Sequence, residues 1–272
     1  MAGTLYVVST PIGNLEDITL RALRVLKDVD CIAAEDTRHS RILLAHYGID
    51  TPLTSYHDHV ERQRAPRLVE RLKAGEDIAL ISDAGTPAIA DPGYRLVRAA
   101  IDAGLRVVPI PGASVVMASL SAAGVPSDRF AFEGFVPAKS AARRAFFERL
   151  RREERTVVCF EAGRRLAASL RDLASVLGDR PVVVARELTK LYEDFVRGEA
   201  AALAAGAGDL TARGEVTLLI APAARQAPTA SEDDIRAAVA RLRGEGLHLK
   251  EIAKRLAQEN GWPAREVYRL GL

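Results

Sequence analysis

LISDAGTPAIADPG (80–93) joins an apolar run, DIALISD (77–83), to YRLVRAAIDAG (94–104), whose apolar residues recur at helical spacing. A short continuous apolar run between turn signals reads as a buried strand, and a 3.6-residue period reads as a helix. Between the two, Gly85, Gly93, Pro87 and Pro92 enforce a convoluted loop that carries Asp83 and Asp91. A loop leaving the carboxyl end of a strand is where open α/β sheets bind ligands. The spacing matches neither a Walker A loop nor GxGxxG, so a phosphate cradle is not supported.

The same alternation extends outward in both directions. Strands are predicted at 4–9, 31–36 and 106–110, with helices at 18–29, 38–49 and 64–75. Strand and helix in turn imply βα units on a mostly parallel sheet. Two more loops, STPIGNLED (9–17) and PIPGAS (109–114), leave strands as 82–93 does, so the three are placed to converge on one crevice. A small-residue helix is predicted over 111–124, and VPSD (125–128) then interrupts the chain. A second α/β series follows, with strands at 130–136, 156–161, 181–187, 192–198 and 215–222 and helices at 139–153 and 165–177. Short links between its last strands predict a mixed sheet. AARQAPTAS (223–231) reads as a linker, Ser231 as a helix cap, and 247–262 and 263–270 as two short helices around Asn260-Gly261. The expected divisions are α/β domains at 1–120 and 121–224 and a helical, helix-turn-helix-like module at 231–272.

The chain has 272 residues, 48% of them hydrophobic and 27% charged, with a formal charge of +2. These values exclude a wholesale polycation but not a local basic face. Aromatic residues, at 5%, are too few for rows of base-stacking platforms. Cys31 and Cys159 lie in separate apolar runs and read as buried hydrophobes of a reducing compartment. The first residues lack the charged flank of a secretory signal, and no apolar run is long enough to span a membrane. A soluble, cytoplasmic protein without a membrane partner is expected.

TPIGNLEDIT (10–19), AAEDTRHS (33–40), LISDAGTPAIADPG (80–93), PIPGAS (109–114), SAAGVPSDRFAFEGFVPAK (121–139), ARELTKLYE (185–193) and GEVTLLI (214–220), in this order, resemble the tetrapyrrole-methylase superfamily. EDTRHS and SDRFAFEGFVPAK resemble its ribosomal branch rather than its porphyrin branch. The resemblance implies two α/β domains, S-adenosylmethionine in the cleft between them, and a homodimer. It implies methyl transfer to the ribose 2′-oxygen of a cytidine in the decoding centre of small-subunit (16S) ribosomal RNA. By resemblance Ser82, Asp83, Ala84, Gly85 and Ile89 contact the cofactor, and Pro11, Ser114, Val115, Phe160 and Ala185 border its pocket. The sequence departs from the pattern at Gly163, where relatives often carry a polar residue, which leaves Arg164 and Arg165 without an assigned role.

Methyl transfer to a hydroxyl needs an aligned oxygen and a sink for its proton. No metal is expected; His57 and His59, spaced i, i+2 with no third clustered ligand, make a weak metal motif. The polar clusters that could serve are Glu35-Asp36-Thr37-Arg38, His57-Asp58-His59 and Glu187-Leu188-Thr189-Lys190. Asp36 leads as proton acceptor with Glu35 beside it, and Arg38 would hold a phosphate. The plain alternative for this cluster is a helix N-terminus. Residues 139–165 hold nine basic and four acidic side chains, a local excess of +5. Arg143, Arg144 and Arg149 from this stretch, with Lys250 and Lys254 of the tail, are therefore expected on RNA phosphates. DNA reading is not expected from the tail. The competing readings are methylation of a tetrapyrrole or a protein side chain, and a non-catalytic nucleic-acid-binding module.

Overall fold

The computed structural model describes residues 1–206, 214–224 and 230–272, which fall into two compact units, Met1–Pro222 and Ala223–Leu272. Most of the linker read at 223–231, residues 225–229, lies outside the described residues. The first unit opens with β1 (Thr4–Val8), α1 (Leu20–Asp28), β2 (Cys31–Ala34), α2 (Thr37–His46), β3 (Leu53–Ser55), α3 (Glu61–Lys73), β4 (Ile78–Ile81), α4 (Tyr94–Asp102) and β5 (Arg106–Ile110). The five strands form one parallel sheet in the order β3-β2-β4-β1-β5. Successive side chains of a strand point to opposite faces, and both faces here are apolar. Val8, Ile32 and Ile81 pack under α1 and α2 through Ala22, Leu26 and Leu44. Leu5, Ile78 and Leu80 pack under α3 and α4 through Leu68, Leu72 and Leu96. Parallel strands with helices on both faces bring every βα loop to one edge of the sheet.

Next come α5 (Val115–Ala123), β6 (Phe130–Phe135), α6 (Ser140–Arg149), β7 (Thr156–Ala162), α7 (Leu166–Leu177), β8 (Pro181–Arg186), β9 (Asp194–Glu199), α8 (Ala200–Ala205) and β10 (Glu215–Ile220). Their sheet, β6-β7-β10-β8-β9, is mixed as expected, with β6 and β7 parallel and the other pairs antiparallel. One face is covered by α6, α7 and α8 through Phe146, Phe147, Leu170 and Leu203. On the other, Val116, Leu120 and Ala123 of α5 meet Val158, Val183, Ala185 and Leu219. The helix read over 111–124 begins only at Val115, after Pro111 and Gly112, where Ser114 caps it by accepting from the Met117 amide; it ends at left-handed Gly124.

The second unit comprises α9 (Glu232–Gly244), α10 (Leu249–Asn260) and α11 (Ala264–Leu270). A capping box between Ser231 and Asp234 starts it, and left-handed Gly261 ends α10. Ile235, Val239, Leu242, Ile252, Leu256 and Val267 form its own small core. Among the described residues no helix is long and apolar enough to cross a membrane.

Candidate active site

The three βα loops singled out in the sequence meet at the carboxyl edge of the parallel sheet. Thr10 and Gly85 exchange backbone hydrogen bonds of 2.8 and 3.1 Å, and Ser9 and Thr86 share one of 2.9 Å between their hydroxyls. These contacts tie 9–17 to 82–93. The second sheet completes the enclosure. A Cβ on Gly13 would stand 2.8 Å from the Leu188 carbonyl oxygen and from side-chain atoms of Thr189 and Lys190, so only glycine lets the two loops approach this closely.

The result is a cavity of about 460 Å³. Ile12, Val115, Val116, Phe160, Ala185 and Leu188 supply apolar wall, while Glu35, Asp83, Asp91, Glu187 and Glu215 supply carboxylates. Among the described residues Lys190 is the only basic one in its lining, and it pairs with Glu187 at 3.3 Å. Burial chiefly raises the Glu35 carboxyl above its ordinary value, and the charges of Asp83 and Asp58 add to this against the Asp83 amide and His57. Asp91 is pushed up to about 6, first by burial and then by Glu35, Glu215 and Asp83, against a hydrogen bond from Ser82.

A second, open bowl of about 490 Å³ adjoins the cavity. It is lined by Asp36, Thr37, Arg38, Ser55, His57, Asp58 and His59, and it shares Glu35 and Asp83 with the cavity. Those two shared residues are clasped together: the Asp83 amide donates to Glu35 Oε2 at 3.3 Å, and the Asp36 amide donates to Asp83 Oδ1 at 3.0 Å.

The sequence pattern of the Tetrapyrrole (Corrin/Porphyrin) Methylases matches residues 4–204. The chain belongs to that family. It is 46% identical over 272 residues to Ribosomal RNA small subunit methyltransferase I of Synechocystis, spanning 99% of this chain and 98% of the relative. It is 47% identical over 273 residues to the Escherichia coli O157:H7 protein of the same name, spanning 99% of this chain and 95% of that one. The crystal structure of uroporphyrin-III C-methyltransferase from Thermus thermophilus, complexed with S-adenosylhomocysteine, shares the fold at 20% identity and a TM-score of 0.56, covering 80% of this chain and 97% of that one.

In this tetrapyrrole methylase, Asp83, Ala84, Gly85, Ile89, Ser114, Val115, Phe160 and Ala185 all line the main cavity. Pro11 and Ser82 line an adjoining recess of about 340 Å³ instead, beside α2. Asp36 is occupied structurally. It caps α2 by accepting from the Arg38 amide at 2.8 Å and pairs with the Arg38 guanidinium at 3.0 Å. The Arg38 side chain, followed by its amide, holds the Asp36 carboxyl down to about 2, so it is a weak base. Arg38 itself keeps 87% of its side chain exposed at the rim of the bowl.

The expected RNA contact of Arg143 is corrected. Arg143 is only 5% exposed and pairs with Asp172 at 2.6 Å, so it is unavailable to a phosphate. Burying a guanidinium requires such a partner. Arg144 leans on the same carboxylate at 2.9 Å, and Arg149 lies over the Phe146 ring at 5.6 Å. Within 139–165, five of the nine cations are ion-paired (Arg143, Arg144, Arg151, Arg155 and Arg165), but Glu148, Glu153 and Glu161 already stand in the count, so only Asp172 lowers the +5 excess, and the pairing changes which cations are free more than how many charges remain. Lys250 and Lys254 are exposed one turn apart on α10. Asp91 and Glu215 had no role assigned from the sequence. Asp91 was visible in the quoted loop, but its neighbour Glu215 lies 124 positions away, and no local pattern joins them.

Proposed function

We propose that this protein methylates the ribose 2′-oxygen of a cytidine in 16S ribosomal RNA, with S-adenosylmethionine as donor. The observation that carries this reading is the meeting of an acid-lined, part-apolar cavity with a polar bowl at Glu35 and Asp83. The cavity fits the cofactor in size and chemistry: apolar wall at Ile12, Val115 and Phe160 suits an adenosine, and the excess of carboxylates suits a cation. When bound, the cofactor supplies an electrophilic methyl group on a positively charged sulfur. The same lining disfavours phosphates and carboxylate-rich tetrapyrroles. The RNA backbone therefore belongs in the bowl, where Arg38, His57 and His59 are the groups able to meet it.

Glu35 is the proton acceptor in this reading. It stands on the wall between the two spaces, its raised affinity for a proton suits general-base work, and the Asp83 amide orients it. Asp36 fixes Arg38 and the start of α2 rather than taking the proton. Arg144, Arg149, Lys250 and Lys254 remain accessible for RNA contacts. The small ribosomal subunit in the cytoplasm is the partner, and the chain acts as a homodimer. Exposed Leu191 and Tyr192 offer apolar surface that a second copy would cover.

The test supplies methyl-labelled cofactor and unmodified small subunits, then maps the product. A single ribose-methylated cytidine is expected. Label on a base, or none on RNA, defeats the proposal, and label on tetrapyrrole precursors would favour the porphyrin reading.

A further inference from the structure

The loop 82–93 holds an unusual backbone. Ala88 and Ala90 have φ of +69° and +64°, and Gly93 has φ of +142°. Such conformations are sparsely populated for residues carrying a Cβ and persist where the surroundings over-determine them. Inside the loop, the Ala88 amide bonds the Pro92 carbonyl at 3.2 Å, the Ile89 amide bonds the Thr86 carbonyl at 3.3 Å, and the Ser82 hydroxyl donates to the Ala84 carbonyl at 3.3 Å. Gly93 is also hemmed in: a Cβ there would meet Leu80 at 3.0 Å and the Ala88 amide at 3.2 Å.

At its closing end the loop is fastened from outside the loop and outside the cavity. Glu61, in the first turn of α3, is 7% exposed and lines none of the three cavities at the carboxyl edge of the sheet. Its Oε1 accepts from the Gly93 amide at 2.7 Å, and its Oε2 pairs with Arg95 at 3.3 Å. The fully buried phenol of Tyr56 stands beside the same carboxylate, whose charge, after burial, opposes the phenol's ionisation. A buried carboxylate on a single backbone amide makes a strong, directional bond. Gly93 lies two residues after Asp91, which faces the cavity.

We propose that Glu61 is a positioning residue for cofactor binding: by gripping the Gly93 amide it fixes the closing end of the 82–93 loop, and with it Asp91, against the cavity. This rests on the reading of that cavity as the cofactor site.

The test uses the full chain and three variants, Glu61→Ala, Glu61→Asp and Glu61→Gln. S-adenosylmethionine affinity is measured by calorimetry, and KM for cofactor and for small subunits is measured separately. Glu61→Ala is expected to weaken cofactor binding about tenfold, the scale of one lost buried hydrogen bond to a charged group, and to leave KM for subunits unchanged. Glu61→Gln retains an oxygen for Gly93 and restores most of the affinity. Glu61→Asp, one methylene too short, behaves like the alanine variant and serves if the alanine variant does not fold. Cofactor affinity unchanged in Glu61→Asp, or Glu61→Gln as impaired as Glu61→Asp, overturns the proposal. Wild-type protein that binds cofactor but labels no RNA defeats the substrate reading and leaves the Glu61 result standing; wild-type protein that binds no cofactor overturns both.

Discussion

The acids at the cavity end of the first α/β lobe and those inside the second are treated in opposite ways. In the second lobe, Glu161 has no exposed side-chain surface, yet it is answered by Arg165 at 2.6 Å, the Ala162 amide at 2.7 Å and the Ser169 hydroxyl. Asp172 is likewise held by Arg143, Arg144 and Ser140. At the cavity end of the first lobe, Glu35, Asp83 and Asp91 crowd together, and no arginine or lysine forms an ion pair with them among the described residues. Burial raises the carboxyls of Glu35 and Asp91, whereas the hydrogen bonds from Arg144, Arg143 and Ser140 overcome burial and hold Asp172 below its ordinary value. Compensated acids can stay ionised inside a fold. Uncompensated ones cost stability and mark where an incoming cation or proton is to be received.

This contrast can be broken most severely at Glu35. Replacing it with Gln should lower the single-turnover methylation rate by roughly 10²–10⁴-fold, the range of lost general-base catalysis, without unfolding the protein. A rate within a few-fold of wild type would move the proton acceptor elsewhere. The second lobe should respond in stability instead of rate. Asp172→Ala strands the buried Arg143 guanidinium and should cost about 3–5 kcal/mol in denaturant unfolding, with the KM for cofactor unchanged in the folded fraction. A neutral result would deny the pair its structural role.

The smallest and sharpest effect concerns Asp91. Its carboxyl titrates at about 6 in the free cavity, among Glu35, Asp83, Glu187, Glu215 and the Glu187-paired Lys190. A bound cation favours the ionised form and lowers that value, so binding expels a proton near pH 6. Cofactor affinity should therefore hold steady above pH 6 and fall as pH drops below it, by up to about tenfold per unit. Calorimetry from pH 5 to pH 7.5 checks this, and Asp91→Asn should flatten most of the slope. An equal slope in that variant would assign the proton to another group.

Much of this architecture was legible in the chain itself. Strand–helix alternation and the Gly/Pro loops at 9–17, 82–93 and 109–114 foretold a parallel sheet with a crevice at one edge, because periodicity and turn chemistry are local properties. What escaped was either too short or non-local. Leu53–Ser55 is a strand of three residues, below the length at which alternation can be seen, and Ala200–Ala205 is a helix inside an Ala/Gly-rich run without periodic pattern. The +5 stretch put Arg143 on an RNA face because charge counts ignore burial. Asp172, which disarms Arg143, lies 29 positions further on and on another helix. Asp36 looked like a base because a capping carboxylate and a catalytic one share the same residue type and the same place at a strand's end.

The five carboxylates around the cavity also bear on how a cycle ends. The methyl donor carries a positive sulfur, and the spent thioether does not, although the two share nearly the same outline. Shape alone would hold product as firmly as reactant. In the proposed reaction a lining with an excess of negative charge tells them apart, and once the ribose proton has left Glu35 for water, Lys190 alone among the described lining cations faces the charge that the cofactor gave up. With the donor in this cavity as proposed, the acids that draw it in loosen their hold on its remnant, and the electrostatics of the cavity give the cycle a direction.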